Sequence, residues 1–322
     1  MVSLTVSPPS VTQTTGGPSF VQRLISVTFT LTQPPVPAAP VTFPGTTSDT
    51  VTLSGLRCSA KIVNAGAPSG SLLSLSVYGL PLEMMNRLAT LGMVVQLVPR
   101  NVVVVQAGDA ASGLTTVFQG TILQAWGDFG AAPEVPFRVE ANSGIAELVA
   151  PVPASSYQGS ADVVTILNNL VSQMPGWTFE NNGVIGVKVS NPYLPGSALQ
   201  QARKIKDAVA NVMGYDDSDN TISIWPKGST RGGLVPTISP QTGMVGYPTF
   251  VPQGIQVTTI FNPSVKFMGS IQVQGSQLTQ ANGKWGVFSL DHDLESMLPH
   301  GNWKTTIGAY NQMYPAPLNQ RQ

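Results

Sequence analysis

Short runs in which apolar and polar residues alternate, broken every few residues by glycine or proline, dominate this sequence. Alternation with a period of two is typical of a β-strand with one buried face, and glycine and proline mark the turns between strands. The 322 residues include 32 glycines and 27 prolines. Together they make up a share of the chain well above the roughly 12% that glycine and proline contribute on average. The clearest run is "RLISVTFTL", in which one face carries Ile25, Val27, Phe29 and Leu31. The pattern predicts a mainly β (α+β) fold.

The spacing of the apolar residues changes in the middle of the chain, and the alternating spacing then resumes. Alternating runs extend to about residue 145, helical periodicities appear between 146 and 231, and alternation resumes from 232. "QPPVPAAPVTFPG" at 33–45 is predicted to be a loop, because proline lacks the main-chain donor that a sheet interior needs. The predicted segments are an N-terminal arm at 1–19, a first β domain at 20–145, a small α/β domain at 146–231, and a second β domain with a C-terminal tail at 232–322.

Two helices are predicted in the α/β segment. "GSADVVTILNNLVSQMPG" offers Ser160 as N-cap, followed by an apolar stripe and a Pro-Gly stop. "PGSALQQARKIKDAVANVMG" has Ser197 and Gln200 at capping-box spacing, and Gly214 is the predicted end. A third, short helix is predicted at 79–92, closed by Gly92.

Strands are predicted around these helices. "WTFENNGVIGVKVSN" is predicted to form a hairpin that turns at residues 181–183. "NTISIWPKG" is predicted to add one more strand.

The chain carries unusually little charge. Only 10% of its residues are charged and the formal net charge is zero, whereas globular domains carry about 25%. Between residues 242 and 275, Lys266 is the only charged side chain. Interface cores are depleted in charge, so the composition favours a surface buried against other chains. A large all-β monomer with a Ser/Thr/Gln-rich surface remains open on composition alone.

Several classes of protein are disfavoured. The equal numbers of acidic and basic residues argue against nucleic-acid binding, which needs clustered Lys and Arg. The single cysteine, Cys58, permits no intrachain disulfide and is predicted to be a buried apolar residue. The N-terminus does not resemble a signal peptide, and no apolar run approaches the roughly 18 residues of a membrane span. The expectation is a soluble protein made in the cytoplasm, with no stable membrane insertion.

No catalytic, cofactor or metal site is predicted. His292 lies between Asp291 and Asp293 in "LDHDLESMLPHG", but neighbouring residues of a strand face opposite sides, and the sequence offers no second ligand cluster. This segment is predicted to be a polar strand end beside a turn. "YDDSDNT" at 215–221 lacks the glycine and distal Glu of a calcium loop and is predicted to be a turn between helix and strand. "KGSTRGG" at 227–233 lacks the ending of a phosphate loop and is predicted to be a linker.

The C-terminal third carries an ordered series of short motifs. "TGMVGYPTFVPQGIQVTTIFNPSVKFMGSIQVQG" contains a Gly-Tyr-Pro step at 246–248, an Asn-Pro turn at 262–263, and Gly269 ahead of Ile271 and Val273. "NGKWGVFSLDHDLESMLPHGNWKTTIGAY" adds His292, Leu294, Trp303 and Thr305. With "VFQGTILQAWGDFGAAPEVPFRVEANSG" in the first half, this order resembles the baseplate hub proteins of long-tailed bacteriophages, over about residues 20–310. The proline-rich 33–45 loop departs from the family pattern.

The resemblance implies a structural virion protein rather than an enzyme. It implies two tail-tube-like β-barrel domains flanking the α/β domain, and a homotrimer whose six barrels form a ring. The implied partners are the tail tube protein, a spike or tail-tip protein, other baseplate proteins, and phage DNA in transit through the lumen. The helices of the α/β segment are expected to be peripheral to the ring. The strand predicted to form the wall between subunits comprises Ile255, Gln256, Val257, Thr258, Thr259 and Ile260.

Two other functions stay open on the sequence. A receptor- or carbohydrate-binding tail-tip protein is compatible with the β-rich composition and the scattered tryptophans. A cell-wall hydrolase would need a carboxylate or His/Cys constellation, and residues 146–230 contain none that we recognise.

Overall fold

The alternating runs form strands in the computed structural model, which describes residues 4–5, 21–33, 40–64, 66, 69–90 and 101–311. The strand at Arg23–Thr30 shows why: Ile25, Val27 and Phe29 are at most 1% exposed, as their shared face predicted. Burying apolar surface stabilises a fold by about 25 cal/mol per Å². An alternating run can place all its apolar side chains on one buried face only as a strand, so it folds as a strand rather than a helix. The mainly β fold is confirmed.

The chain forms two compact units. The first comprises the described residues within 1–62, 72–142 and 293–303, and the second comprises those within 63–71, 143–292 and 304–311. The predicted division into four segments is a finer description, and it stays a prediction.

The first unit is built on a sheet that is antiparallel except for the short parallel pair β1–β3, together with one short helix. Its elements are β1 (Leu4–Thr5), β2 (Arg23–Thr30), β3 (Thr50–Ser54), β4 (Cys58–Asn64), β5 (Ser71–Tyr78), α1 (Leu82–Leu88), β6 (Val102–Asp109), β7 (Gly113–Gly127) and β8 (Pro136–Asn142). The spatial order is β1-β3-β2-β6-β7-β8-β5-β4. Helix α1 ends at Leu88, and Gly92, its predicted end, lies outside the described residues.

The second unit contains the α/β elements. They are α2 (Ile145–Val149), β9 (Ser155–Ser156), β10 (Ser160–Asp162), α3 (Val163–Val171), β11 (Thr178–Asn181), β12 (Lys188–Ser190), β13 (Tyr193–Leu194), α4 (Ala198–Ala208), β14 (Met213–Asp216) and β15 (Thr221–Pro226). A single apolar core joins α3, α4 and the β11-β15-β14 sheet. The predicted capping box of α4 is confirmed, since Ser197 and Gln200 bond each other's main-chain N–H groups.

The second unit also contains a β-rich part with its own apolar core. Its strands are β16 (Thr237–Ile238), β17 (Thr249–Val251), β18 (Gly254–Ile260), β19 (Ser270–Val273), β20 (Gly283–Ser296) and β21 (Trp303–Asn311), although residues 293–296 of β20 and Trp303 of β21 are counted with the first unit. β20, β21, β18 and β17 follow one another in the sheet, and β19 pairs with both β16 and β20. The described residues of both units also contain three short 3-10 helices, at Phe129–Ala131, Pro240–Thr242 and Thr279–Ala281.

Three local predictions were wrong. Ser160 is not the cap of α3: it lies in β10, and Asp162 caps the helix by accepting a hydrogen bond from Thr165 N at 3.0 Å. The hairpin at 181–183 does not form, because β11 pairs in parallel with β15 and β12 pairs with β10. Gly214 does not close α4: it lies in β14, where a Cβ would collide with the Trp225 ring.

Candidate assembly surface and a buried charge cluster

The predicted wall strand is β18, and its two faces differ. Ile255, Val257 and Thr259 are at most 1% exposed and face the core of the β-rich part. On the other face Gln256 and Ile260 are exposed and Thr258 is half-buried. The core of the β-rich part therefore covers one face of this strand, and the more polar face is the one left for a neighbour.

Both main-chain edges of β18 are paired within the chain. β21 runs antiparallel along one edge, from Ile255 opposite Ala309 to Ile260 opposite Lys304. β17 pairs with the first half of the other edge. The second half bonds to residues 243–245, because Val245 N donates to Thr258 O and Ile260 N donates to Gly243 O, each at 2.8 Å. β18 is thus an internal strand, and its role in a wall between subunits stays a prediction.

The segment 243–251, which we call the rim, lies at the outer edge of this sheet. No strand of the described chain pairs with the far side of β17. Val245, Tyr247 and Phe250 on the rim are 49%, 48% and 54% exposed. Native sheet edges are usually protected by charged side chains, by proline or by being short. The rim has one proline and a short strand, but residues 232–265 contain no Asp, Glu, Lys, Arg or His. An uncharged, apolar sheet edge is a candidate surface for association.

A second feature, a buried charge cluster, joins strand β11 to the segment 227–233. Arg231 is 5% exposed, and its Nε donates to Glu180 Oε2 at 2.8 Å. Arg231 Nη1 lies 3.7 Å from Asp216 Oδ2, beyond hydrogen-bond range, and finds no acceptor among the described residues. Lys266 Nζ reaches the other Glu180 oxygen at 3.3 Å. The predicted linker therefore carries a buried cation that bonds Glu180 and lies near Asp216.

The cluster shifts the pKa of each carboxylate in a different direction. Burial raises the pKa of Asp216 to about 7, although the Ser218 hydroxyl and the Arg231 charge both act to lower it. Burial acts to raise the pKa of Glu180 as well, but the hydrogen bond and charge of Arg231 outweigh it and lower that pKa to about 2. The cluster therefore combines a permanently ionised carboxylate with one that titrates near neutrality.

A neighbouring ion pair lies on the same turn. Asp217 is buried and accepts from Arg203 Nε at 2.7 Å and from the Tyr215 hydroxyl at 3.2 Å. This turn, "YDDSDNT", connects β14 to β15, so it joins two strands instead of the predicted helix and strand. Asp217 binds Arg203, whereas Asp216 and Asp219 accept from the Ser218 and Ser71 hydroxyls. The described residues contain no group of three or more His, Cys, Asp or Glu side chains that could hold a metal ion.

The histidine and cysteine singled out in the sequence are both buried. His292 Nδ1 lies 2.9 Å from Thr305 Oγ1, its ring packs edge-to-face on Phe261, and burial lowers its pKa to about 4. The polar strand end predicted there is wrong for His292, which lies inside the long strand β20. Cys58 is 3% exposed, and burial raises its pKa to about 12 although a hydrogen bond with Ser296 acts to lower it. The predicted buried apolar cysteine is confirmed.

Sequence reasoning missed the rim and the cluster for different reasons. The uncharged stretch was visible, but only the pairing of strands shows that 243–251 is the outer edge. Glu180 and Arg231 lie 51 residues apart, and no periodicity connects them. No helix in the described part of the chain is long and apolar enough to cross a membrane.

The fold is that of bacteriophage tail proteins. It resembles the crystal structure of the prophage MuSo2 43 kDa tail protein from Shewanella oneidensis, with a TM-score of 0.55, 8% identity, and 91% of this chain and 99% of that one covered. A tail protein from Neisseria meningitidis MC58 gives a TM-score of 0.52 at 9% identity, covering 89% and 96% of the two chains. A chain of the Francisella PdpA-VgrG complex gives a TM-score of 0.54 at 8% sequence identity, and the match covers 94% of this chain and 60% of that one.

The sequence itself identifies the family. Residues 83–299, about two thirds of the chain, match the family model described as Baseplate hub gp41. The chain belongs to that family of structural phage proteins, and the resemblance inferred from its motifs is confirmed. A search of curated protein sequences finds no match.

Proposed function

We propose that this chain is the homotrimeric hub of a phage baseplate, which connects the tail tube to the central spike or tip and forms part of the DNA-ejection channel. Membership of the baseplate hub family supports the setting. The observation that carries self-association is the rim, an uncharged sheet edge with three half-exposed apolar side chains. Such an edge favours association over an isolated existence in water.

In the proposed assembly, residues 20–145 and 232–322 each contribute a tube-like β domain, so three chains supply six. Residues 146–231 lie outside the ring. Helix α4 supports this position, because Leu199, Ala202 and Ile205 are buried on one side while Lys204 and Asp207 are exposed on the other. A helix with one apolar stripe packs on one side and faces water on the other. The arm at 1–19 lies almost entirely outside the described residues.

The proposed role is structural and uses no cofactor. Glu180, Asp216 and His292, whose pKa values are shifted, are engaged by arginine, serine and threonine inside the protein, which is the pattern of structural ion pairs and buried hydrogen bonds. The proposed partners are the tail tube protein, the spike or tip protein and other baseplate proteins, with DNA passing through. Assembly takes place in the host cytoplasm, and the finished protein is part of the virion.

Replacing one rim side chain by lysine tests the proposal. Phe250→Lys places a charge on the proposed interface, while Leu278→Lys is a matched control, since Leu278 is 42% exposed outside the rim. Exposed substitutions of this kind change folding stability by about 0.5 kcal/mol or less. We expect Phe250→Lys to lower the trimer fraction in native mass spectrometry and the number of copies that enter phage particles, and Leu278→Lys to change neither.

Two outcomes would contradict the proposal. If Phe250→Lys assembles like the unmodified chain, the rim is not the interface. If both variants assemble equally poorly, the rim has no specific role, and the added charge alone accounts for the loss of assembly.

A further inference from the structure

The first half of strand β7 has an open edge. β7 extends from Gly113 to Gly127, and it pairs with β6 from Gly113 to Thr121. On its other side it pairs with β8, but only from Thr121 onwards. No strand of the described chain therefore covers that side of residues 113–119, which we call the β7 edge.

The β7 edge presents main-chain groups at alternate residues. Ile122 N donates to Asn101 O just before β6, so the groups of every second residue of β6 after Asn101 turn towards β7. The bulge in this pair adds its extra residue to β7, and the alternation along β6 is therefore unbroken. Ala107 is one of the residues that turn towards β7, where it pairs with Thr115. The N–H and C=O groups of Thr116, the next residue of β7, accordingly face the open side.

The β7 edge has none of the features that usually protect a sheet edge, which are charge, proline and short length. Its sequence is "GLTTVFQ", with no charged residue and no proline. Leu114 is 40% exposed, and Thr115 and Thr116 are exposed as well. A long, exposed and uncharged edge is suited to strand addition, in which main-chain hydrogen bonds to another strand provide the affinity.

The rim offers a second edge of matching chemistry. Val245 N donates to Thr258 O, so every second residue of β18 turns its main-chain groups towards the rim. Gln256 is one of these residues, and it pairs with Thr249 of β17. The N–H and C=O groups of Phe250, the next residue of β17, therefore face away from β18. Like the β7 edge, β17 carries no charged residue.

We propose that the β7 edge of one copy of this chain pairs by strand addition with the outer edge of β17 in the next copy. This inference rests on the proposed trimer and names the surface that the rim meets. Contact between two different edges is head-to-tail, and such contacts generate a ring when the rotation closes. Pro248 and Pro252 flank β17 and lack N–H groups, so the pairing is short and centres on Phe250.

Cross-linking of introduced cysteines tests the contact in the full-length chain, in the mixture where native mass spectrometry shows trimers. Thr115→Cys and Thr249→Cys place one exposed thiol on each edge, while the chain's own Cys58 is buried. With a short bismaleimide, the double variant should give covalent dimers and trimers on a denaturing gel. Neither single variant should give covalent trimers, because one thiol on each chain can join at most two chains.

A proline on the β7 edge tests the main-chain bonds themselves. Thr116→Pro removes a donor that faces the open side, a position where edge strands accept proline, so the pairing with β6 should persist. Thr116→Ala keeps the donor and is the matched control. We expect Thr116→Pro to weaken self-association by roughly tenfold or more and Thr116→Ala to change it little. Equal association of the two variants would overturn the proposal.

The remaining outcomes separate this inference from the proposed function. Trimers that form while the double cysteine variant stays uncross-linked would overturn the inference and leave the trimeric hub in place. Covalent dimers of Thr115→Cys alone, formed as readily as in the double variant, would show that the β7 edge pairs with itself, which also overturns it. A chain that forms no trimer in any mixture would overturn the proposed function and this inference with it.

Discussion

Replacing Val257 with proline tests whether β18 is the internal strand that the structure shows. Main-chain groups of Thr258 and Ile260 turn towards the rim, so those of Val257 turn towards Ile307 on β21, its partner in the register. Proline removes the Val257 donor and leaves a buried carbonyl on β21 without its partner.

The cost can be worked from these contacts. An orphaned buried acceptor costs about 1–3 kcal/mol. The proline ring costs about 3 kcal/mol in a helix interior and is excluded from the middle of sheets, so a similar cost in β18 brings the total to about 4–6 kcal/mol. Whole domains are stable by only about 5–15 kcal/mol. The β-rich part of the second unit should therefore be largely unfolded in Val257→Pro. The α/β segment has a separate apolar core and should stay folded.

Urea unfolding combined with hydrogen exchange measures both effects. Val257→Ala is the matched control: it keeps the donor, removes two methyl groups, and should cost about 2 kcal/mol. We expect Val257→Pro to abolish exchange protection in β18 and β21, hub assembly and infectivity, while α3 and α4 stay protected. Normal particles carrying Val257→Pro, or unfolding free energies equal to those of Val257→Ala, would refute the assignment of this strand.

Three smaller predictions concern single side chains. Ser197→Ala removes the α4 cap and should lower the free energy of unfolding by about 1 kcal/mol in thermal denaturation; no change would mean that the cap bonds contribute nothing. Cys58 should resist iodoacetamide at pH 7.5 in the folded chain and react only after unfolding; rapid labelling would contradict its burial. Because burial lowers the pKa of His292 from 6.5 to about 4, stability should fall by about 3 kcal/mol as pH drops from 6.5 to 4. His292→Gln should remove that slope, and an unchanged slope would assign it to other groups.

Sequence reasoning succeeded where burial follows local periodicity. The stripe of α3 is buried as predicted, including Leu167 and Leu170, because a helix repeats its face every 3.6 residues. The alternation in Arg23–Thr30 likewise predicted the buried face of β2, because a strand repeats its face every two residues. The capping box of α4 is a local motif, and it too could be read directly.

Prediction failed where distant segments decide the structure. Asn181 closes a turn on Val184, so the chain leaves the sheet where a hairpin was expected, and β11 instead pairs with β15 forty-three residues later. Arg231 was assigned to a linker because nothing near it in sequence suggests a buried partner. Long-range pairings of this kind also define the rim, which is an edge only because 243–245 and β17 cover β18.

The mass of the assembled particle in solution tests the central claim most directly. Native mass spectrometry of the purified chain, alone and with the proposed tail tube and spike partners, should give a species of three 33.8 kDa chains in at least one of these mixtures. The same stoichiometry should be found in purified virions. A chain that stays monomeric in every mixture and enters virions as a single copy would contradict the account.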